Sequence, residues 1–347
     1  MSKSKLGQFY TTNYNYILQN MILPDKIKII IEPFVGNGDL LNFIINKDDY
    51  TLELYDIDPK YKNAIRRDTL KNPPCYDNKF VLTNPPYLAR NKNNDKELYD
   101  KYDCNDLYKC FIINLINSKC WGGIIIIPLN FICSIRKGDI ELREQFLNKF
   151  TINVINIFEE RVFDDTSYTV CSIYFMTNKF CNGSNNNSNI IKTYIYPSNK
   201  IIEISLTKEN NYIIGGEIYM LPINSEYKVE RATKLTKNKD NITNILLKCI
   251  DDSVDNKLGF KIVDDKDKFI DTTEKLSARS YATLVINKKL SLSNQIILVE
   301  KLNNYILEQR TKYNSLFLTN YRESNSIARK RISFDLAFRI CNYIISQ

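Results

Sequence analysis

The tetrapeptide Asn84-Pro85-Pro86-Tyr87 holds the residue types best placed to do chemistry in this chain. Two successive prolines fix φ and donate no N–H, so the segment is a rigid turn with an open backbone carbonyl at Pro85. Asn84 adds a side-chain amide and Tyr87 an aromatic face. Carbonyl acceptors beside an aromatic ring suit a planar substrate that carries an amino group, with the NH₂ donating to the carbonyls and the ring stacking on the substrate. Taken alone, the tetrapeptide also fits an ordinary proline-rich loop. The chain contains no histidine, which excludes Ser-His-Asp and Cys-His catalysis. Without a C-x-x-C pair, a zinc site is not expected either, and no metal is assigned.

The turn follows Phe80-Val81-Leu82-Thr83, a short apolar run that predicts a strand. Upstream, the apolar run Ile27–Ile31 ends at Glu32 and leads into Pro33-Phe34-Val35-Gly36-Asn37-Gly38-Asp39. Glycines here let the backbone approach a ligand. A second strand, Thr51–Tyr55, ends at Asp56, about 20 residues after the glycines, where an acid suits a ribose diol. Asp58-Pro59 reads as the cap of a next helix through Tyr61–Ile65. Asp68 could accept from an adenine amino group or simply cap a turn. Helical spacing is read in Leu40–Ile45 and Leu107–Ser118, and further strands in Ile124–Pro128, Ile152–Phe158 and Thr169–Phe175. Strands alternating with helices predict βαβ units, and strands apolar throughout predict a parallel sheet covered on both faces. The expected fold is therefore α/β, a Rossmann-like doubly wound sheet with ligands at the carboxyl ends of its strands.

A length of 347 residues fits two domains. The Asn-rich stretch Cys181–Asn189 divides the chain into an expected catalytic part, 1–180, a linker or loop, 181–189, and a second part, 190–347. In the second part, Ile190–Tyr196, Ile201–Leu206 and Tyr212–Leu221 read as β-ribbons, and Asn241–Ile250 and Leu290–Thr311 as helices. Lys248–Glu274 reads as a solvated excursion. The net charge of +8 favours a polyanionic partner. Residues 301–347 hold eight Lys or Arg against three acids. Arg322, Arg329, Lys330 and Arg331 concentrate there beside Tyr321, a composition suited to phosphate contact or to a solvated face. The nine cysteines lie largely in apolar settings. They are read as buried free thiols in a reducing, intracellular compartment. No run of about 18 apolar residues predicts a membrane span, and the first residues lack the apolar core of a secretory signal.

In order and spacing these blocks resemble the S-adenosylmethionine-dependent amino-methyltransferases. They are most similar to the gamma-type DNA adenine-N6 methyltransferases of restriction–modification systems and some large DNA viruses. Gly7-Gln8-Phe9-Tyr10-Thr11-Thr12 resembles the cofactor block written GQ-x-Y-T-P, with Thr12 in place of proline. Glu32–Gly38 resembles the glycine loop, Tyr55-Asp56-Ile57-Asp58 the ribose-acid block, and Arg67-Asp68-Thr69 the adenine-contact block. Asn84–Tyr87 is similar to the catalytic block, Asp106–Phe111 to the helix block N-L-Y-x-x-F, and Glu160–Asp164 to the block that carries a second base-contacting aromatic.

The resemblance, over roughly residues 5–177, implies S-adenosyl-L-methionine held by Tyr10, Thr11, Glu32, Phe34, Gly36, Gly38, Asp56, Ile57, Asp68, Thr69 and Asn84. It implies catalysis by Asn84, Pro85, Pro86 and Tyr87, with Phe163 as the second aromatic on a flipped adenine. It further implies a C-terminal target-recognition domain, double-stranded DNA as partner, a cognate restriction endonuclease and action as a monomer. RNA amino-group methylation, protein glutamine methylation and a catalytically silent DNA-binding scaffold are the alternatives. A dehydrogenase fits worst, because the third glycine of a dinucleotide loop is missing.

Overall fold

The computed structural model describes residues 9–163, 168–178, 190–253, 256–320 and 330–347. The chain divides into two compact units, Met1–Leu206 and Thr207–Gln347.

The first unit is built on a nine-stranded sheet in the order β3-β2-β1-β4-β5-β7-β6-β8-β9. Its strands are β1 Ile29–Glu32, β2 Thr51–Asp56, β3 Ile65–Arg66, β4 Phe80–Thr83, β5 Gly122–Pro128, β6 Phe150–Phe158, β7 Val170–Thr177, β8 Ile190–Tyr196 and β9 Lys200–Ser205. The first five in sequence form the parallel sheet that the apolar runs predict. Every residue of β4 and β5 is buried, so these strands form its core. The doubly wound α/β class is correct, with three local differences.

First, β7 runs antiparallel to both β5 and β6, so its apolar run marked a core strand there but not its direction. Second, the connection after β1 holds only the 3₁₀ turns Asp39–Phe43 and Lys47–Asp49, and Tyr61–Ile65 is no helix. Asn63 takes φ 72° there, and the chain passes straight into β3. Third, β8 and β9 pair into the main sheet. The boundary expected before residue 190 therefore falls after Leu206, and the stretch 181–189, outside the described residues, precedes strands of the same unit. The α-helices Leu107–Asn117 and Lys137–Lys149 lie between β4 and β5 and between β5 and β6.

The second unit contains a four-stranded antiparallel sheet, β10-β13-β11-β12. These strands are Val229–Arg231, Ile242–Lys248, Gly259–Ile262 and Tyr281–Ile286 for β10 to β13. Ile245, Leu247, Leu284 and Ile286 pack with Leu298, Leu302 and Ile306 of the helix Leu292–Tyr313 and with Leu336 and Ile340 of the helix Phe334–Ile345. Both helices begin at serines, Ser291 and Ser333, whose hydroxyls accept from the backbone of Asn294 and Leu336.

Three expectations change here. Asn241–Ile250 contains the strand β11, because Thr243, Ile245 and Leu247, and Cys249 just after the strand, are buried at every second residue. Tyr212–Leu221 is a turn and the short helix Gly216–Tyr219. A side chain at Gly216 would come within 1.8 Å of the Asn210 carbonyl oxygen. The charged excursion also holds β12, with Leu258 and Phe260 in the core.

Candidate active site

Three neighbouring strands deliver the site. β1 lies between β2 and β4, and the chain order reverses across β1 and β4. In open parallel sheets a crevice forms at such a reversal, at the carboxyl ends of the strands. Glu32, Asp56 and Thr83 are the last residues of β1, β2 and β4, and the glycine loop, Ile57 and Asn84 follow them.

Glu32 is the floor of this arrangement. Its Oε1 accepts from the Phe34 amide at 3.0 Å and from the Thr83 hydroxyl, tying the end of β1 to the end of β4. Its Oε2 is buried without a hydrogen-bond partner. Burial pushes the Glu32 carboxyl up to about 8, against the hydrogen bonds from Thr83 and Phe34, and the nearby Asp56 charge adds to the rise. The loop above is pinned by Asp56, which accepts from the Gly36 amide at 2.9 Å and from the Asp58 amide at 2.8 Å. Gly38 takes φ 85°, and a Cβ there would fall 2.2 Å from the Tyr61 ring, so only glycine fits. Thr69 donates to the Pro33 carbonyl at 2.9 Å, joining the third block to the first.

A cleft opens over these groups. Tyr10, Thr11, Phe34, Gly36, Asp56 and Ile57 line it, together with Asp68, Thr69, Asn84 and Pro86. Nine of the eleven residues expected around the cofactor are thus brought together in its wall. The other two, Glu32 and Gly38, stand behind the lining and shape it. Ile57 is 46% exposed beside Asp56, an apolar face next to a carboxylate. Asp68 lines the cleft, and its Oδ1 accepts from the Leu70 and Lys71 amides at 3.1 and 3.0 Å, which makes it a turn cap. Phe9, Val35, Asp39, Leu40, Arg67, Leu70, Leu98 and Leu107 complete the wall. Leu98 belongs to no motif, and the short helix Glu97–Lys101 that carries it has too few residues to show a period.

Asn84 is held at both ends of its amide. Nδ2 donates to the Phe9 carbonyl at 2.9 Å and to Thr11 Oγ1 at 3.0 Å, and Oδ1 accepts from the Tyr87 hydroxyl. The block after the turn supports it. Asp106, at the start of the helix Leu107–Asn117, accepts from the Leu88 amide at 3.1 Å. Tyr108 meets the Tyr87 ring edge-on at 6.3 Å, and Phe111 meets Phe34 at 5.3 Å. Burial raises the Asp106 carboxyl to about 6, with Lys109 opposing the rise.

The two aromatics expected on the substrate are not in the cleft lining. Tyr87 is 2% exposed and Phe163 4% exposed, and Phe9 lies against both, at 5.3 Å and 6.2 Å. Sequence reasoning assigned Phe9 no role, since it occupies the variable position of its block. Pro85, too, is absent from the lining. Among the expected phosphate contacts, Lys330 is 4% exposed and buried in its unit. Arg331 is half-buried, with its guanidinium donating to the Arg279 carbonyl at 2.8 Å. Burial takes Lys330 out of reach of a phosphate. Arg322 and Arg329 lie outside the described residues. Among the described residues no cluster of three or more His, Cys, Asp or Glu could hold a metal, and no helix is long and apolar enough to cross a membrane.

Sheet order and cleft are those of a Rossmann-like doubly wound α/β fold with a site at its switch point. Residues 40–163 match the family described as Eco57I restriction-modification methylase. The match runs from the end of the glycine loop through Asp56, Asp68 and Asn84–Tyr87 to Phe163. Comparison with curated protein sequences gives no match. Among solved structures, the chain is similar to a modification subunit of a putative type I restriction enzyme from Vibrio vulnificus. The identity is 14% and the TM-score 0.39, over 55% of this chain and 47% of that one. A putative class I S-adenosylmethionine-dependent methyltransferase from Listeria monocytogenes aligns at 16% identity and TM-score 0.41, over 56% and 67%. The M protein of the type I restriction enzyme EcoKI aligns at 13% identity and TM-score 0.38, over 90% and 72%. The chain thus spans about half the length of the Vibrio subunit.

Proposed function

We propose that this chain transfers a methyl group from S-adenosyl-L-methionine to the N6 amino group of an adenine flipped out of duplex DNA. The observation that carries this reading is the anchored amide of Asn84, held at the carboxyl end of β4 in a cleft that also presents Asp56 and Asp68. The cleft fits the methyl donor by its chemistry. Asp56 offers carboxylate oxygens to a ribose diol, Asp68 to an adenine amino group, and Phe34, Ile57 and Leu70 offer apolar walls. Bound there, S-adenosylmethionine supplies an electrophilic sulfonium methyl; the amino nitrogen takes that methyl, the C–S electron pair stays on sulfur, and one amino proton is released.

An exocyclic amino nitrogen is a poor nucleophile, because its lone pair is delocalised into the ring. Asn84 Oδ1 and the Pro85 carbonyl accept its two N–H bonds, which localises the lone pair. These bonds strengthen as positive charge develops on nitrogen, so they favour the transition state. No strong base is required, in keeping with a chain that lacks histidine. A base inside a duplex cannot reach such a cleft, and extrusion costs a few kcal/mol. The second unit is the proposed target-recognition domain, and a cognate endonuclease the proposed partner in the cell.

The experiment is transfer of a labelled methyl group from S-adenosylmethionine to mixed-sequence duplex DNA, followed by digestion and nucleoside mass analysis. Label in N6-methyldeoxyadenosine is expected. Label in cytosine, in RNA offered alongside, or in protein glutamine would replace the adenine assignment with that acceptor.

A further inference from the structure

Two cysteines meet behind the cleft wall. Cys104 and Cys110 are six residues apart in the chain, and their Sγ atoms lie 3.1 Å from each other. The local fold brings them together from both sides. Asp103 takes φ 47° in the turn that follows the short helix Glu97–Lys101, and the Cys104 amide donates back to the Tyr99 carbonyl at 3.0 Å. Asp106 then starts the helix Leu107–Asn117, in which Cys110 is the fourth residue. Cys110 Sγ also lies 3.7 Å from the Asp106 carbonyl oxygen and 3.9 Å from that of Leu98. Leu98 and Leu107 both line the cleft. The two thiols differ in access, because Cys104 is half-buried and Cys110 is buried. The hydrogen bond from Cys110 holds the Cys104 thiol below its ordinary range, against burial and with the Lys109 charge adding to the effect. The same contact, together with burial, pushes the Cys110 thiol far up. The accessible sulfur is thus the one that ionises, and the buried one stands beside it as a partner.

We propose that Cys104 and Cys110 form a modification site, a dithiol that hydrogen peroxide converts reversibly to a disulfide. The site is independent of the methyl-transfer reading. A disulfide bond is about 2.05 Å long, so the two sulfurs need to close by only about 1 Å. In the first step the Cys104 thiolate attacks one peroxide oxygen. The O–O bond breaks, the other oxygen takes the electron pair and a proton and leaves as water, and Cys104 becomes a sulfenic acid. In the second step the Cys110 sulfur attacks the sulfenic sulfur. The S–O bond breaks, and its oxygen leaves as water with the proton that Cys110 gives up. Two thiols thereby lose two electrons and two protons, and one peroxide becomes two waters. In reducing surroundings the pair stays as thiols, and it is oxidised only while peroxide is present.

Trypsin tests the site directly, because it cuts after Lys101, Lys109 and Lys119 and so puts the two cysteines on separate peptides, 102–109 and 110–119, each with a single cysteine. The folded protein is treated with hydrogen peroxide, denatured in iodoacetamide to block the remaining thiols, and digested without reductant. Mass spectrometry should find the two peptides joined, lighter than their sum by two hydrogens, and separated again by dithiothreitol. Cys104 recovered as sulfinic or sulfonic acid beside an alkylated Cys110 overturns the proposal. So does an alkylated pair at a peroxide dose that already oxidises Cys75, the exposed cysteine among those described. The order of events is tested by Cys104→Ser, which removes the accessible sulfur. Cys110 should then stay reduced at the dose that joins the parental peptides, and oxidised Cys110 in this variant overturns the assignment of Cys104 as the sulfur that reacts first.

Discussion

Replacing Glu32 with glutamine should change how the stability of the first unit depends on pH. Burial lifts the folded-state value from 4.5 to about 8. Between those values the unfolded chain carries an ionised Glu32 and the folded chain a protonated one. The folded state then binds the extra proton, so stability falls as pH rises. The contribution is fully present below 4.5 and lost as pH passes about 8. A full gap of about 3.5 pH units corresponds to roughly 5 kcal/mol, and between about pH 5.5 and 7.5 the loss is about 2.5 kcal/mol. The glutamine of the Glu32→Gln variant does not titrate, whereas every other carboxylate contributes alike to both proteins. The parental stability minus the variant stability should therefore fall by about 2.5 kcal/mol over that interval. The single tryptophan, Trp121, lies in the first unit and reports its urea transition by fluorescence. Parallel parental and variant curves across that interval would refute the claim that Glu32 is held neutral. Cofactor affinity should stay within a few-fold, because Glu32 shapes the loop from behind the cleft lining.

Asn84→Ala should lower kcat by about 10²–10³-fold, the usual cost of a lost transition-state contact. Calorimetric cofactor Kd should stay within a few-fold; a much larger loss would assign the amide to cofactor binding. Lys109 and Asp139 form an ion pair whose side chains are 7% and 10% exposed. Lys109→Met strands a buried carboxylate and should cost about 3–5 kcal/mol in urea unfolding, with Asp139→Leu on the same background restoring most of it. Equal destabilisation in single and double variants would show that the pair is not the source. Gly138, near the start of the helix Lys137–Lys149, has open space around the position of a Cβ. Gly138→Ala should raise stability by up to about 1 kcal/mol in thermal unfolding, whereas a loss would mean that the glycine serves the helix start.

The blocks around the cleft were readable because each couples a backbone demand to a fixed neighbour. Gly38 must be glycine against Tyr61, and Asp56 must reach back to the Gly36 amide. Such constraints leave residue types at set spacings. Elements held only by burial left weaker marks. β7 is as apolar as β5, so nothing in its own residues told that it runs antiparallel. In β11 the alternation of Thr243, Ile245, Leu247 and Cys249 competed with extra burial at Leu246, and the mixed pattern passed for a helix. The boundary misplacement had a similar cause. The Asn-rich composition of 181–189 marks a polar insertion, but β8 registers against β6 from Val154–Lys192 to Phe158–Tyr196, a pairing that local sequence cannot express.

The aromatic side of the site shows the same limit at the level of single atoms. A tyrosine after two prolines has a ring and a hydroxyl, and the local sequence does not say what surrounds either. Those surroundings come from residues far away in the chain. Phe9 covers the Tyr87 ring, Ile126 of β5 supplies the second acceptor, and Thr11 turns the Asn84 amide so that its oxygen points inward. Lys330 makes the converse case. A basic run seen along the chain counts it as a free charge, but β14, Thr319–Asn320, pairs with β15, Lys330–Arg331, and the fold takes the lysine side chain inside. Charge counts along the chain therefore do not give the charged surface. Any phosphate contact in the second unit must come from side chains that the fold leaves outside.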